Sequence, residues 1–429
     1  NTNIQLIKLN NGNVMALFLT DNHAPDGSFN YLSAAYSISS DNGQTWSEVE
    51  YIDKNIGTAS SSLQYDINVY ELQDRILVTW SEADLDTLLQ DMDPDNLKAA
   101  QIAKLVNAMN LNGRFFDIAS GAPIGDAFVI AENSAVFCGA LEAVQNGENV
   151  YVYYQRNALS TTENVTVESL MKTERTIAMA SASINDTSNW VSTPVRAMDG
   201  EGGQYRITEV EPFVHDGILG EIIVIDRNGR LLSYDSASGE MIPDINDRQL
   251  YLRTYSFGED GAPATTSFVA LSDATDCAQS PEVVSNEDNL YLFWNHNGEI
   301  VYAPDFVATD SDDELTRSKA VVIADAAGKH SVKSTSKFAP VSIDGDESLH
   351  VGSTFTVSMS EGGKVLICWV GNDTEKTEAL AGDQVYGIML ETKLVADVTR
   401  DVKNADGGEA EREHQLWAMG SPVAITAEN

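Results

Sequence analysis

The 429-residue chain carries 65 acidic against 26 basic side chains, a formal charge of −39. A surface of that sign repels phosphate backbones, which disfavours nucleic acid as a partner and favours solubility. No run of about 18 apolar residues is present to cross a bilayer as a helix. The three cysteines, Cys138, Cys277 and Cys368, lie in or beside apolar strand sequence and read as buried thiols, not as a disulfide framework.

Taken in chain order, short apolar runs predict strands at residues 14–18, 76–80, 150–154, 221–225, 290–294 and 365–369. Their last large residues, Phe18, Trp80, Tyr154, Ile225, Trp294 and Trp369, recur with a period of about 70 residues, longer than common propeller repeats but enough for four strands with long loops. Turn sequences precede five of these strands: Asn11-Gly12-Asn13, Gln73-Asp74, Asn146-Gly147-Glu148-Asn149, Glu287-Asp288-Asn289 and Gly362-Gly363. Each repeat therefore contains a hairpin. Third strands are expected at 32–39, 177–184, 231–236, 299–303 and 385–390. In the second repeat the stretch 97–109 reads either as an inserted helix or as an irregular third strand. Pro123, Pro194, Pro263, Pro340 and Pro422 each open a short apolar run, with Ser47 in the equivalent place of the first repeat. Because proline lacks the ladder donor, these runs are assigned to the outermost strand of each sheet.

Within the first repeat the chain reads Ser39-Ser40-Asp41-Asn42-Gly43-Gln44-Thr45-Trp46. Asp41 can bond the backbone of its own turn, Gly43 supplies a positive φ, and Trp46 is expected to tuck under the next strand. This pattern resembles the Asp-box of sialidases and other β-propellers, and Ser183 to Trp190 looks like a decayed second copy. Together with the repeats, the resemblance implies one all-β domain over residues 1–429: a six-bladed β-propeller of four-stranded antiparallel blades. The approximate blades are 1–60, 61–130, 131–200, 201–270, 271–345 and 346–429. Since no repeat can cover its own apolar faces, none is expected to fold alone.

Loops after the second strands would line one mouth of such a ring, with long insertions at 83–97, 157–173 and 371–382. Candidate ligand-binding residues there are Asp26, Glu82, Arg156, Glu211, Arg227 and His296, accompanied by Asp21, His23, Asp84 and Asn372. This mixture of charges and amides suits a sugar or a carboxylated ligand, and equally the ordinary polarity of strand ends. Two acidic runs offer hard oxygen ligands for a structural calcium ion, Asp91, Asp93 and Asp95 in one and residues 310–314 in the other; neither supplies the later bidentate Glu of an EF-hand, and a solvated turn is the favoured reading of both.

The sialidase resemblance implies roles for three of these residues: Glu211 as the base that activates a tyrosine nucleophile, Arg227 as a grip on a carboxylate, and Asp26 as the acid. The chain departs from the family elsewhere. Sialidases carry Arg-Ile-Pro where this chain begins Asn1-Thr2-Asn3-Ile4-Gln5, and an arginine where it has Thr20-Asp21. No arginine stands near Asn295-His296-Asn297, and no tyrosine at Gly352-Ser353-Thr354-Phe355. Without those charge-assisted contacts and that nucleophile, sialidase activity is not expected.

Three readings follow. The first is a non-catalytic module that binds a glycan or a surface partner. The second is a glycoside hydrolase using two carboxylates from Glu82, Asp26, Glu211 and Asp84. The third is a structural spacer of a larger protein. Asn1 reads as a mature or trimmed start, and the acidic, cysteine-poor composition as a monomeric bacterial protein that is secreted or held at the cell surface.

Overall fold

A computed structural model describes residues 4–23, 30–53, 62–84, 109–134, 140–157, 175–195, 206–226, 232–235, 240–243, 248–257, 263–272, 278–286, 290–296, 299–304, 306, 321–324, 355–360, 362–372, 383–394, 414–418 and 423–425. Two compact units divide the chain, Asn1–Arg196 and Ala197–Asn429. Among the described residues all regular structure is strand.

In the first unit three blades follow one another. The first is β1 (Gln5–Lys8), β2 (Val14–His23), β3 (Asn30–Ser39) and β4 (Glu50–Tyr51); the second is β5 (Ser62–Glu71), β6 (Arg75–Asp84), β7 (Met109–Asp117) and β8 (Pro123–Ser134). The third is β9 (Ala140–Asn146), β10 (Asn149–Asn157), β11 (Arg175–Ser183) and β12 (Asp186–Pro194), joined to the second where Arg156 pairs with Ser134.

Three more blades make the second unit. The fourth contains β13 (Arg206–His215) and β14 (Ile218–Asp226), then a separate hairpin of β15 (Leu232–Asp235) and β16 (Glu240–Pro243), then β17 (Arg248–Phe257) and β18 (Pro263–Ala270). The fifth is β19 (Ala278–Ser285), β20 (Leu290–His296), β21 (Glu299–Pro304) and β22 (Val321–Ala324). The sixth is β23 (Phe355–Met359), β24 (Lys364–Asn372), β25 (Asp383–Leu394) and β26 (His414–Ala418), with β27 (Val423–Ala424) also pairing β25. Six antiparallel meanders, mostly of four strands, give the six-bladed β-propeller class that the repeats predict.

At β6 and β20 the second strand is apolar almost without interruption because the blades before and after it cover both of its faces. In β6, Ile76, Val78 and Trp80 pack with Met15, Leu17 and Tyr36 of the first blade, whereas Leu77 packs with Val150, Val152 and Tyr154 of the third. The second unit repeats this arrangement: Ile222 and Val224 meet Leu292 and Trp294, while Phe293 meets Ile367 and Trp369. An aromatic that buries about 150–250 Å² contributes roughly 4–6 kcal/mol of transfer free energy, so fully buried Trp80 and Trp369 dominate their clusters.

Turns behave as their residues require. Gly12, Gly147 and Gly363 have φ of 88°, 59° and 76° before β2, β10 and β24. The fourth blade has a turn of the same kind at Asp216-Gly217, with φ of 50° and 75°; an Asp-Gly pair between apolar runs is a hairpin signal that the five-turn reading passed over. In the turn after β3, Asp41 accepts the Thr45 hydroxyl at 2.6 Å, the Thr45 amide at 2.8 Å and the Ser39 hydroxyl at 2.8 Å. Trp46 does not tuck under β4; it lies beside Gly43 and stays 42% exposed. In the second copy Asp186 accepts the Ser188 amide and hydroxyl, Ser183 accepts the Asn185 amide, and Trp190 stacks on Phe128.

Other expectations need correction. Residues 231–236 are not a third strand: Leu232–Asp235 pairs only with β16, and the place beside β14 belongs to β17, whose eight-residue register buries Leu250 and Leu252. Pro194 closes β12 instead of opening it, opposite Ala178, and Val195 supplies the next amide to Ile177. The third strand of the second blade starts at Met109, and residues 97–108 lie outside the described ones. Pro123 and Pro263 do open outer strands, while Pro340, Pro422 and the turn at 287–289 fall outside the described residues. Cys368 is only half-buried and unpaired, and burial raises its thiol; Cys138 and Cys277 are not described.

Two outcomes follow from this packing. A Cβ at Gly220 would lie 2.3 Å from Phe213 Cζ, and Phe213 is held edge-on by Phe306 at 5.3 Å. Gly220→Ala is therefore expected to lower unfolding stability by roughly 1–3 kcal/mol in urea titrations, with Phe213→Leu in the same chain restoring part of it. The Thr45 and Ser39 bonds hold the Asp41 carboxyl at about 2, below its ordinary 3.8. A carboxyl lowered on folding stabilises above its unfolded value and loses that contribution as the pH falls through its folded one. The gap in urea midpoint between wild type and Thr45→Ala should thus be full at pH 6 and close between about pH 4 and pH 2.

Candidate functional site

Polar side chains are buried selectively in this fold. One group of buried polar side chains comprises Ser33, Gln64, Ser81, Ser134 and Gln155 in the first unit and Thr208, Glu209, Arg248, Gln279, Ser280 and Asn295 in the second, while others such as Ser37, Arg114, Glu221 and Arg253 are buried elsewhere along the strands. All members of the first group lie at the C-terminal ends of second strands or at register positions beside those ends. Solvation explains polar residues at exposed strand ends, but buried ones cost free energy unless they are bonded.

A one-residue bulge recurs at the same place in the first strands. Register shifts fall between Tyr65 and Asn68 of β5, opposite Tyr153/Tyr154 in β9, between Ile207 and Glu209 of β13, and between Gln279 and Glu282 of β19. Asp66 and Ser280 take left-handed φ of 58° and 49° inside two of them. Such bulges re-aim the side chains that precede and follow them.

In the second blade the bulge leaves Gln64 directly opposite Glu82. Glu82 Oε2 accepts from Asn112 Nδ2 at 2.6 Å, Gln64 Nε2 at 3.0 Å and Trp80 Nε1 at 3.0 Å. Gln64 is in turn fixed by the first blade, its Oε1 accepting the Ala34 amide at 2.8 Å. Asn68 and Tyr70 then tie β5 to the third blade, both donating to the Ala140 carbonyl. The carboxylate is thus held by three neutral donors, of which Trp80 is fixed by packing and Gln64 by its bond to Ala34. It remains only half-buried, and Oε1 accepts from no described residue.

The second unit answers a carboxylate differently. Glu209 is wholly buried; its Oε1 lies 3.5 Å from Arg248 Nη1, and its Oε2 accepts the Ser280 amide of the β19 bulge at 2.8 Å. Glu211, expected as a base, lies further along β13 opposite Ile222. It is 9% exposed, and its Oε1 accepts the Val283 amide of the next blade at 3.4 Å. A further buried group sits towards the opposite end of the fourth blade, where Glu221 accepts from Tyr255 at 2.7 Å and Arg253 at 3.0 Å. Burial foremost, and then the Glu221 charge, push the Tyr255 hydroxyl above its usual range.

Arg156 is exposed near the end of β10, opposite Thr176. His296 ends β20 opposite Ala278 and Glu299, and Asp21, His23, Asp84 and Asn372 lie in the terminal residues of their second strands. Asp26, Arg227, Asp91, Asp93, Asp95 and residues 310–314 fall outside the described residues. Among the described residues no group of three His, Cys, Asp or Glu side chains is arranged to hold a metal ion.

Sequence reading missed Gln64 and Asn112, whose partners are set by register, and it missed the Glu209–Arg248 pair. Arg248 was reachable: it opens the true third strand of the fourth repeat, a place hidden by the assignment of residues 231–236.

No family model and no curated protein matches the chain. Among solved structures it is similar to an α-L-arabinanase of Penicillium chrysogenum complexed with arabinobiose, at 15% identity and a TM-score of 0.41 over 85% of this chain and 87% of that one. It is also similar to a Hadza microbial sialidase, at 13% identity and 0.39 over 85% and 62%, and to an α-L-arabinofuranosidase of Fusarium graminearum, at 11% identity and 0.37 over 90% and 92%. Likeness at this level carries no argument about ligand or reaction.

The Glu209–Arg248 pair predicts its own mutational signature. Arg248→Met strands a buried carboxylate and should cost about 3–5 kcal/mol in urea unfolding, whereas Arg248→Met combined with Glu209→Gln should recover most of that loss. Additive losses in the double variant would show that the two side chains are not coupled.

Proposed function

We propose that the chain is a non-catalytic carbohydrate-binding propeller, with Glu82 as the principal polar contact to its glycan. The observation that carries this reading is the Glu82 arrangement: one oxygen saturated by Asn112, Gln64 and Trp80, its twin left as an acceptor on a half-buried side chain. Ligand sites in rigid frames commonly consist of a few polar groups whose orientation is fixed from behind. The sequence supports binding over hydrolysis, since the arginines and the tyrosine expected of a sialidase are missing from their positions. Glu211, one of the other three carboxylates considered for a hydrolytic pair, is engaged by the Val283 amide between blades. The acidic excess supports placing the protein outside the cell or on a bacterial surface, where its partner would be a glycan or a glycosylated protein.

A glycan array probed with the purified chain, run beside fluorogenic sialosides and arabinosides, tests the reading. Binding without fluorophore release is expected, and Glu82→Ala should weaken it roughly tenfold to a hundredfold, as for loss of a charged hydrogen bond. Steady release of fluorophore by wild type, abolished in Glu82→Ala, would instead make the protein a glycoside hydrolase.

A further inference from the structure

The donors around Glu82 also restrict what can meet it. An indole N–H never accepts, so Trp80 Nε1 must donate. Gln64 has its amide oriented by the first blade: because its Oε1 takes the Ala34 proton, Nε2 is the atom that faces Glu82. With Asn112 Nδ2 added, three donors converge on Oε2, which therefore bears no hydrogen and has no acceptor capacity left. The outward oxygen, Oε1, is an acceptor whose position is set by the bonds to its twin.

We propose that Oε1 receives a hydroxyl of an uncharged glycan and excludes sugars that carry a carboxylate. This rests on the glycan-binding reading above and narrows its ligand class. A sugar hydroxyl brings the hydrogen that Oε1 needs. A sugar carboxylate brings a second acceptor and a second negative charge, with no hydrogen between them, to a chain that already carries −39.

One isosteric change separates this from a general loss of affinity. In Glu82→Gln the three donors still require an acceptor, so the new carbonyl oxygen takes the place of Oε2 and the new NH2 group takes the place of Oε1. The outward atom then changes from acceptor to donor. Hydroxyls can bond to either, but a carboxylate bonds only to the second.

The experiment is an array of oligosaccharides in matched neutral and sialylated forms, probed with wild type and Glu82→Gln at low and high salt, with thermal melts to establish that the variant is folded. Wild type should favour the neutral member of a pair by about tenfold or more, comparable to one charge-assisted bond. The bias should shrink or reverse in Glu82→Gln. Higher salt should raise wild-type binding of the sialylated members, because screening weakens the repulsion, and this readout needs no variant. A wild type that prefers the sialylated forms, or a folded Glu82→Gln with an unchanged bias, overturns the inference and leaves the glycan reading standing. Absence of binding to every glycan removes both.

Discussion

Coverage of a sheet on both faces by the blades before and after it, seen in the second and fifth blades, is the constraint from which the other features of this protein follow. A strand enclosed in this way cannot alternate apolar with polar residues, so these second strands run Ile76-Leu77-Val78 or Tyr291-Leu292-Phe293. Their outer shells consist of the equally enclosed residues of adjacent blades, Met15 and Leu17 on one side of β6 and Val150 and Val152 on the other. Much of the buried polar chemistry is thereby placed toward the strand ends, where a side chain can still reach a hydrogen-bonding partner or solvent.

Burial at those ends is incomplete in water and incomplete in hydrocarbon, so each polar group there must find a specific partner. The bulges supply part of the answer. By inserting one residue into β5, β13 and β19, they change which side chains and amides face the neighbouring blade, and the Ser280 amide becomes a donor to Glu209 across the blade boundary. Non-glycine residues held at positive φ are energetically costly and persist only where surrounding contacts determine them. Asp66 and Ser280 are such residues, and both stand in the strand ends that hold the buried polar groups.

Two carboxylates near the bulged ends of their blades, Glu209 on a first strand and Glu82 on a second, are met in two different ways. Glu209 is enclosed and matched by a cation, an arrangement that neutralises it internally and leaves nothing to offer a ligand. Glu82 is met only by neutral donors, all on one oxygen, and its second oxygen accepts from no described residue. The difference lies in the partner residues, Arg248 in one blade and Gln64, Trp80 and Asn112 in another, not in the carboxylates themselves.

What could be read in the sequence was local in origin. Continuous apolar runs and the glycines or asparagines before them specify a strand and its turn from neighbouring residues alone, which is why all six second strands and most turns stand where expected. The third strand of the fourth repeat was not legible: residues 231–236 and 248–257 both have strand character, and only pairing with β14 selects the latter. Pro194 shows the same limit, since a residue without an amide hydrogen fits either end of an edge strand and the register with Ala178 decides which. Glu82 was visible as a charge at a strand end, but its meaning was not. Composition and periodicity determined the repeats, the hairpins and the class of fold; tertiary structure alone decided the bulges, the Arg248 ion pair and the three donors behind Glu82, because those depend on backbones brought side by side from distant parts of the chain.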